Sequence, residues 1–260
     1  MEIKLDITKT IDENAAEYYE KAKKMKEKLK GAEIALQETL KKKNLLLEKK
    51  NEISKKEKVK VKKKYWYEKF RYCFIKDNNE EFLIVGGKDA TSNEILIKKY
   101  TEKNDIVLHT DIYGSPFFVI KSENREIPEK VIIEAAKICA SYSRAWKENL
   151  SSVDVYYVKP EQVSKTPESG EYLKKGSFVI RGEKNYTKTQ LGIFINFEDK
   201  TFISPSPYAK HYVLIIPGDI KSKEIVEKIK KFYKDKKIEI DEEKILQGIP
   251  YGKGMIKEIV

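Results

Sequence analysis

His109 and Asp111, in LHTDIYG, are the residues best suited to metal ligation or acid–base work, because alternation along a strand turns both side chains to one face. A hydrogen-bonded pair at a strand end is the plainer explanation. The chain has two histidines, His109 and His211, so a histidine-based triad or closed metal site has little to draw on, and no further ligand cluster is visible. GxxxxGK(S/T), GxGxxG after a strand, HExxH and GxSxG are all absent. No catalytic residue, metal or cofactor is therefore expected. Gly86 and Gly87, in IVGGKDATSNE, would admit a phosphate against the N-terminus of a following helix with Lys88 beside it. The competing reading is a tight strand-to-helix turn capped by Asp89 or Ser92.

A second kind of chemistry is better represented. The lysine run of residues 55–64 flows into Tyr65, Trp66, Tyr67, Lys69, Phe70 and Arg71, an electrostatic strip beside aromatic faces that suits RNA better than an enzyme active site. SYSRAWK repeats the combination with Arg144 and Trp146. Only four of 53 basic residues are arginine, and Arg71, Arg144 and Arg181 each lie within three residues of an aromatic, where a planar fork grips phosphate or stacks on a base. Structural salt bridges would also account for them. In SGEYLKKGSFVIRGEKNY, residues 169–186, Gly170, Gly176 and Gly182 let the backbone turn sharply and bring basic side chains to the surface, with Val179 facing the core. The candidate RNA contacts are Lys62, Lys63, Lys64, Trp66, Tyr67, Lys69, Arg71, Lys88, Arg144, Trp146, Lys174, Lys175, Arg181, Lys184 and Tyr186.

These residues need elements to position them. The 260-residue chain is 40% hydrophobic, enough for a sizeable core. Its net charge of +11 is uneven, since residues 1–64 carry 20 Lys and no Arg against 12 acidic residues. From Ile11 the apolar positions step by four and three through Ala15, Tyr18, Ala22, Met25, Leu29, Ala32 and Leu36, a coiled-coil seam on one long helix capped by Thr10 or Asp12. The pattern then slips to Leu40 and Leu47 and fades in residues 55–64. A seam needs a partner, expected to be another copy or a segment absent from this chain.

Beyond Lys64 a mixed domain follows. EEFLIVGG reads as a strand and ATSNEILIKKY as a helix. DIVLHTDI and SPFFVIK read as a hairpin around Tyr113 and Gly114, and a helix opens at Pro128. Further strands are VDVYYV, SFVIRG, LGIFINF, TFISPS and HYVLIIPG, before a helix from Ser222 and a glycine-rich end. The expected class is α+β, a long N-terminal coiled-coil helix followed by a mixed, largely antiparallel sheet domain with flanking helices. Cys73 and Cys139 sit in apolar contexts and are expected as reduced core residues. No stretch approaches the roughly 18 to 20 apolar residues of a membrane span, and the N-terminus lacks a signal-peptide pattern, so a cytoplasmic protein is expected. The Lys-, Glu- and Ile-rich composition fits a thermophile or an A/T-rich genome.

The blocks WYEKFR, IVGGKDATSNEILIKKY, DIVLHTDIYGSP, SRAWKENL and VYYVKPEQVSKTPESGEYLKKGSFVIRGEKNY resemble, in that order, the NFACT-R domain of the NFACT family. Members include nuclear export mediator factor, the ribosome quality control proteins of archaea and yeast, and bacterial proteins long named fibronectin-binding protein A. Upstream, the segment from Ile3 resembles the returning coiled-coil helix that precedes this domain. The resemblance implies a translation factor, here archaeal, that binds the large ribosomal subunit and tRNA after stalled ribosomes split. It also implies an upstream NFACT-N domain, helix-hairpin-helix domain and outgoing coiled-coil strand, so that this chain is expected to be a C-terminal half. Where many relatives read HADxHG, Tyr113 replaces the second histidine, which argues against a metal role there.

The expected organisation is a coiled-coil arm over residues 1–64, an NFACT-R domain over 65–186 and an α/β extension over 187–260. The expected function is non-enzymatic binding of large-subunit rRNA or tRNA, with dimerisation through the coiled coil. Two alternatives stand beside it, an enzyme acting on RNA or nucleotides through His109 and Asp111, and a protein-interaction module whose working part is the coiled coil.

Overall fold

Thr10 starts the first helix. Its backbone N–H donates to the Glu13 carboxylate at 2.8 Å while its hydroxyl accepts from Glu13 N at 3.3 Å, the reciprocal arrangement of a capping box. The computed structural model describes residues 4–56, 65–166, 173–236 and 238–260. Helix α1 runs Ile11–Lys56. Buried Asn14 ties residues 6–10 back onto its first turns, accepting from Asp6 N and donating to the carbonyls of Asp6 and Thr10. The seam positions Ile11, Tyr18, Met25, Leu29 and Leu36 are exposed along this helix. Residues 57–64, and with them Lys62, Lys63 and Lys64, lie outside the described residues.

The second unit begins at Lys64. Strands β1 (Arg71–Asp77) and β2 (Glu80–Gly86) form a hairpin whose two turn residues, Asn78 and Asn79, have φ of 44° and 68°, the left-handed pair that suits the twist of the flanking strands. Helix α2 (Ala90–Ile95) runs into a wider turn over Leu96–Tyr100. Strands β3 (Ile106–Thr110) and β4 (Phe118–Ile120) pair antiparallel as expected, and β4 lies between β2 and β3. Then come α3 (Glu129–Tyr142), α4 (Arg144–Lys147), β5 (Ser152–Val158), β6 (Val163–Ser164), β7 (Val179–Ile180) and β8 (Asn185–Gln190). The remainder is β9 (Ile193–Phe197), β10 (Thr201–Ser204), β11 (His211–Lys221), α5 (Ser222–Phe232), α6 (Glu242–Gly248) and β12 (Lys253–Ile259).

Among the described residues there is a six-stranded sheet, β1-β2-β4-β3-β5-β8, a four-stranded sheet, β10-β9-β11-β12, and the small pair β6-β7, with every pairing antiparallel. The α+β class and the largely antiparallel sheet are as expected. α3 is the centre of the main core. Val131, Ala135, Ile138 and Cys139 meet Leu108 and Ile120 of the larger sheet as well as Ile193, Ile195, Val213 and Ile215 of the smaller one. Burial pushes the Cys73 thiol up to about 12, so both buried, unpaired cysteines stay protonated and act as apolar filling. The other face of the larger sheet carries a second core around Leu83, Val85, Leu96, Val107 and Phe117.

Three expectations need correction. The helix from Pro128 breaks at Ser143, which adopts extended φ/ψ of −75° and 171° while its hydroxyl donates to Ala140 O and caps Ala145 N. The glycine-rich end, expected after the last helix with no element of its own, runs into strand β12, and NYTKTQ, which the sequence assigns to no element, is strand β8; they gain their order from β11 and β5. Val179 does not face the core. Its neighbours Phe178 and Ile180 pack on the second cluster, because the β6-β7 register turns them to that side.

Candidate nucleic-acid interface

Arg71 opens the edge strand β1. Its Nη1 donates to Gly87 O, its guanidinium carbon lies 5.0 Å over the Tyr142 ring, and no carboxylate pairs with it among the described residues. Burial lowers its pKa without removing its charge, since arginine titrates far above neutrality. Lys88 stands close by on the turn between β2 and α2, and its pKa is lowered by burial first and by the Arg71 charge second. Two cations thus share one spot.

The Gly86–Gly87 turn is a packing device rather than a phosphate cradle. A Cβ on Gly86 would lie 2.2 Å from the Phe118 ring and one on Gly87 1.8 Å from Asn93 Oδ1. The helix end is already satisfied from within, because Asp89 accepts from Ser92 N at 2.8 Å and Ser92 Oγ accepts from the amides of Lys88 and Asp89 at 2.8 Å each. The Asp89 carboxylate occupies the place of the anion considered from the sequence.

Gly176 brings a second basic segment to the first. Its φ is +79° and an added Cβ would stand 2.6 Å from Ala90 Cα, so the turn holding Lys174 and Lys175 sits directly on the start of α2, two residues beyond Lys88. Both lysines are exposed, and Lys174 Nζ lies 5.8 Å over the exposed ring of Tyr113. Arg181 is exposed as well, with its backbone pinned by Gln162.

The remaining candidates divide. Arg144 is half exposed but shares its charge with Glu148 at 3.1 Å, one helical turn on. Lys184 Nζ donates to Asp111 Oδ1 at 2.9 Å and sits 4.3 Å over Tyr156, so it is not a free cation. Tyr186 donates to the other Asp111 oxygen at 2.9 Å and keeps an exposed ring. Trp66 presents one face to Tyr100 at 4.4 Å and 4°, while Lys69 Nζ donates to the same tyrosine's hydroxyl at 2.7 Å. Tyr67 stacks with Tyr65 at 5.3 Å, and Tyr65 is the more exposed ring. Trp146 must be withdrawn: it is fully buried and its indole N–H is spent on Lys253 O at 2.8 Å, because the break at Ser143 turns this residue inward.

His109 is likewise occupied. Its Nε2 donates to Ser115 O at 3.0 Å, its Nδ1 accepts from the Tyr156 hydroxyl at 3.3 Å, and its ring stacks on Phe117. Burial lowers its pKa and keeps it neutral. Asp111 is raised by burial but more strongly lowered by the contacts of Lys184 and Tyr186. The pair found from the sequence is thus a hydrogen-bonded corner where β3 meets β5 and β8.

A cleft of about 670 Å³ runs along β1 toward β10 and α6. Six carboxylates and five cations line it, so its charge nearly cancels. Two of those cations, Arg71 and Lys88, are the neighbours described above. Tyr251 has no signal in the sequence, because a tyrosine in a glycine-rich turn does not disclose its positive φ of 54°.

Residues 63–182 match the family described as NFACT protein RNA binding domain. The archaeal Rqc2 homolog aRqcH of Methanocaldococcus jannaschii is 45% identical over 202 residues, covering 74% of this chain and 29% of that protein. The human ribosome quality control complex subunit NEMF is 38% identical over 178 residues, 66% of this chain and 16% of that protein. The chain thus spans less than a third of the length of these curated relatives. A solved C-terminal part of the fibronectin/fibrinogen-binding protein from Streptococcus suis aligns over 52% of this chain and 49% of that one, at 22% identity and a TM-score of 0.40.

Proposed function

The chain belongs to the family of the NFACT protein RNA binding domain, and from that premise we propose that it is the non-enzymatic RNA-binding module of a cytoplasmic, ribosome-associated quality control factor. Its ligands are large-subunit rRNA, tRNA or both. The observation that carries this reading is the docking of Gly176 on Ala90, which seats the turn holding Lys174 and Lys175 on the start of α2, two residues beyond Lys88, itself next to Arg71; none of these four cations has an ion-pair partner among the described residues. Neutralising phosphates with such a group releases counterions, so binding should be strong at low salt and fall steeply as salt rises. Lys62, Lys63, Lys64, Lys69, Arg144 and Arg181 extend the contact in the same reading, and Tyr65, Tyr67 and Tyr186 offer rings to unpaired bases.

Two observations bear on the alternatives. Both nitrogens of His109 are engaged inside the protein, which favours binding over acid–base chemistry. The exposed seam of α1 favours a partner helix, for which we propose a second copy of the chain. No helix among the described residues is long and apolar enough to cross a membrane.

The test is binding of tRNA and of isolated large subunits across a salt series, for the intact chain, for Arg71→Ala with Lys88→Ala, and for Arg144→Ala with Arg181→Ala. Strong binding that weakens with salt and with both double substitutions supports the reading. Negligible binding at low salt overturns it.

A further inference from the structure

Tyr251 is held in a backbone conformation that a tyrosine rarely adopts. Its φ is +54° and ψ 14°, a left-handed geometry that crowds Cβ against the backbone, and Gly252 continues it at +68°. Packing repays this strain only in part, since the residue is 48% exposed. The turn that carries it is fixed at both ends. Tyr142 Oη donates to Gly248 O at 2.6 Å and Trp146 Nε1 donates to Lys253 O at 2.8 Å, so α3 and the short helix α4 clamp the IPYG segment on either side of Tyr251. A strained, exposed aromatic on an immobilised turn is the usual mark of a residue kept for what it contacts.

Its surroundings indicate what that contact is. Tyr142, which anchors the turn, is also the ring beneath the Arg71 guanidinium. Arg144 starts α4, whose Trp146 holds the other end of the turn. Burial is the largest influence on the Tyr251 hydroxyl and raises its pKa, while Arg71 and Arg144 both pull it down, which puts the two guanidinium groups within electrostatic reach of the ring. Glu148 opposes them from the same helix end. Two guanidinium groups suited to phosphate, that of Arg144 also paired with Glu148, therefore lie within electrostatic reach of the face of one half-exposed aromatic ring. That face lies outside residues 63–182, the part of the chain matched to an RNA-binding family.

We propose that Tyr251 is a base-stacking residue, which receives an unpaired nucleobase of single-stranded RNA while Arg71 and Arg144 hold the adjoining phosphates. The proposal rests on the RNA-binding reading above and adds a ligand class to it. A duplex buries the faces of its bases and gives Tyr251 nothing to stack on, whereas an unpaired base is free to swing out onto the ring. The C-terminal segment is thus part of the binding surface as well as of the core.

The experiment uses the intact chain and two fluorescent probes, an oligoadenylate and an RNA duplex of equal length, titrated at fixed moderate salt. The variants are Tyr251→Gly and Tyr251→Phe, each with a thermal melt. Glycine suits a positive φ, so Tyr251→Gly should melt at or above the wild-type temperature. Its affinity for the oligoadenylate should fall about tenfold, within the range of one lost stack. Its affinity for the duplex should stay within about twofold, because the phosphate contacts remain. Tyr251→Phe keeps the ring and should keep both affinities. Undiminished oligoadenylate binding by Tyr251→Gly overturns the stacking role and leaves the RNA-binding reading intact. Equal losses for both probes, or a lowered melting temperature, assign Tyr251 a structural role and overturn it as well. A wild-type chain that binds neither probe at low salt overturns both readings.

Discussion

The guanidinium of Arg71 lies 5.0 Å over the ring of Tyr142, and the hydroxyl of that ring donates to Gly248 O at 2.6 Å. The tyrosine therefore supports the arginine from below and the C-terminal turn from its far end. Arg71→Lys keeps the charge but loses the planar fork and the stacked geometry. RNA affinity should fall about three- to tenfold, equivalent to roughly 1 kcal/mol, with the salt dependence unchanged. Arg71→Ala should in addition lower the slope of log affinity against log salt by about one. Fluorescence anisotropy across a salt series reads both.

Gly176→Ala meets two obstacles, a φ of +79° and a Cβ placed 2.6 Å from Ala90 Cα. The turn must lift from α2 and carry Lys174 and Lys175 away from Lys88. The expected outcome is a stability loss of about 1–2 kcal/mol by urea unfolding, with weaker RNA binding by the protein that remains folded. Unchanged binding would show that the two basic segments act separately.

Trp146→Phe separates burial from RNA contact. Phenylalanine leaves Lys253 O without its donor, at a cost of about 1–3 kcal/mol, and leaves a void beside it. Urea midpoints should drop accordingly, while affinity of the folded protein for duplex RNA, which does not draw on the turn held at Lys253 O, stays at the wild-type value.

His109 sets a pH window. Burial lowers its folded pKa below the ordinary 6.5, so the unfolded chain takes up the proton first as pH falls. The stability contribution is fully present above about 6.5 and is lost progressively as pH drops through that value toward the lower folded pKa. His109→Gln should flatten this part of a stability–pH curve measured by urea unfolding. Asp111, lowered from 3.8, acts in a separate and more acidic window.

The α1 seam predicts self-association. The intact chain should sediment as a concentration-dependent dimer, and Met25→Lys with Leu29→Lys should convert it to monomer. A monomer at every concentration would remove the second copy as the partner of this helix.

What the sequence discloses follows from how local the cause is. The α1 seam, the β3-β4 hairpin and the helix after Pro128 repeat with periods visible within a few turns. Strand β8 carries no such pattern, because NYTKTQ is ordered by its partner β5 rather than by its own apolar side chains. The site behaves likewise. Arg71 and Lys88 were legible as cations near aromatics and glycines. Lys184, by contrast, meets Asp111 across 73 residues of chain and Trp146 meets Lys253 across 107, distances over which composition says nothing. The sign of φ at Tyr251 is equally invisible in the letters PYG.

The position of α3 has a kinetic corollary. This helix is complete at Tyr142, yet much of its apolar surface is covered only when β9, β11 and the turn after Gly248 arrive, the last being 106 residues away. Its core contacts are therefore of high sequence separation, and closing them is the slow, entropically expensive step of folding. During synthesis the completed helix must wait with a greasy face uncovered until those later elements emerge. In the finished protein its amide protons should be among the last to exchange with solvent, opening only when the whole unit unfolds.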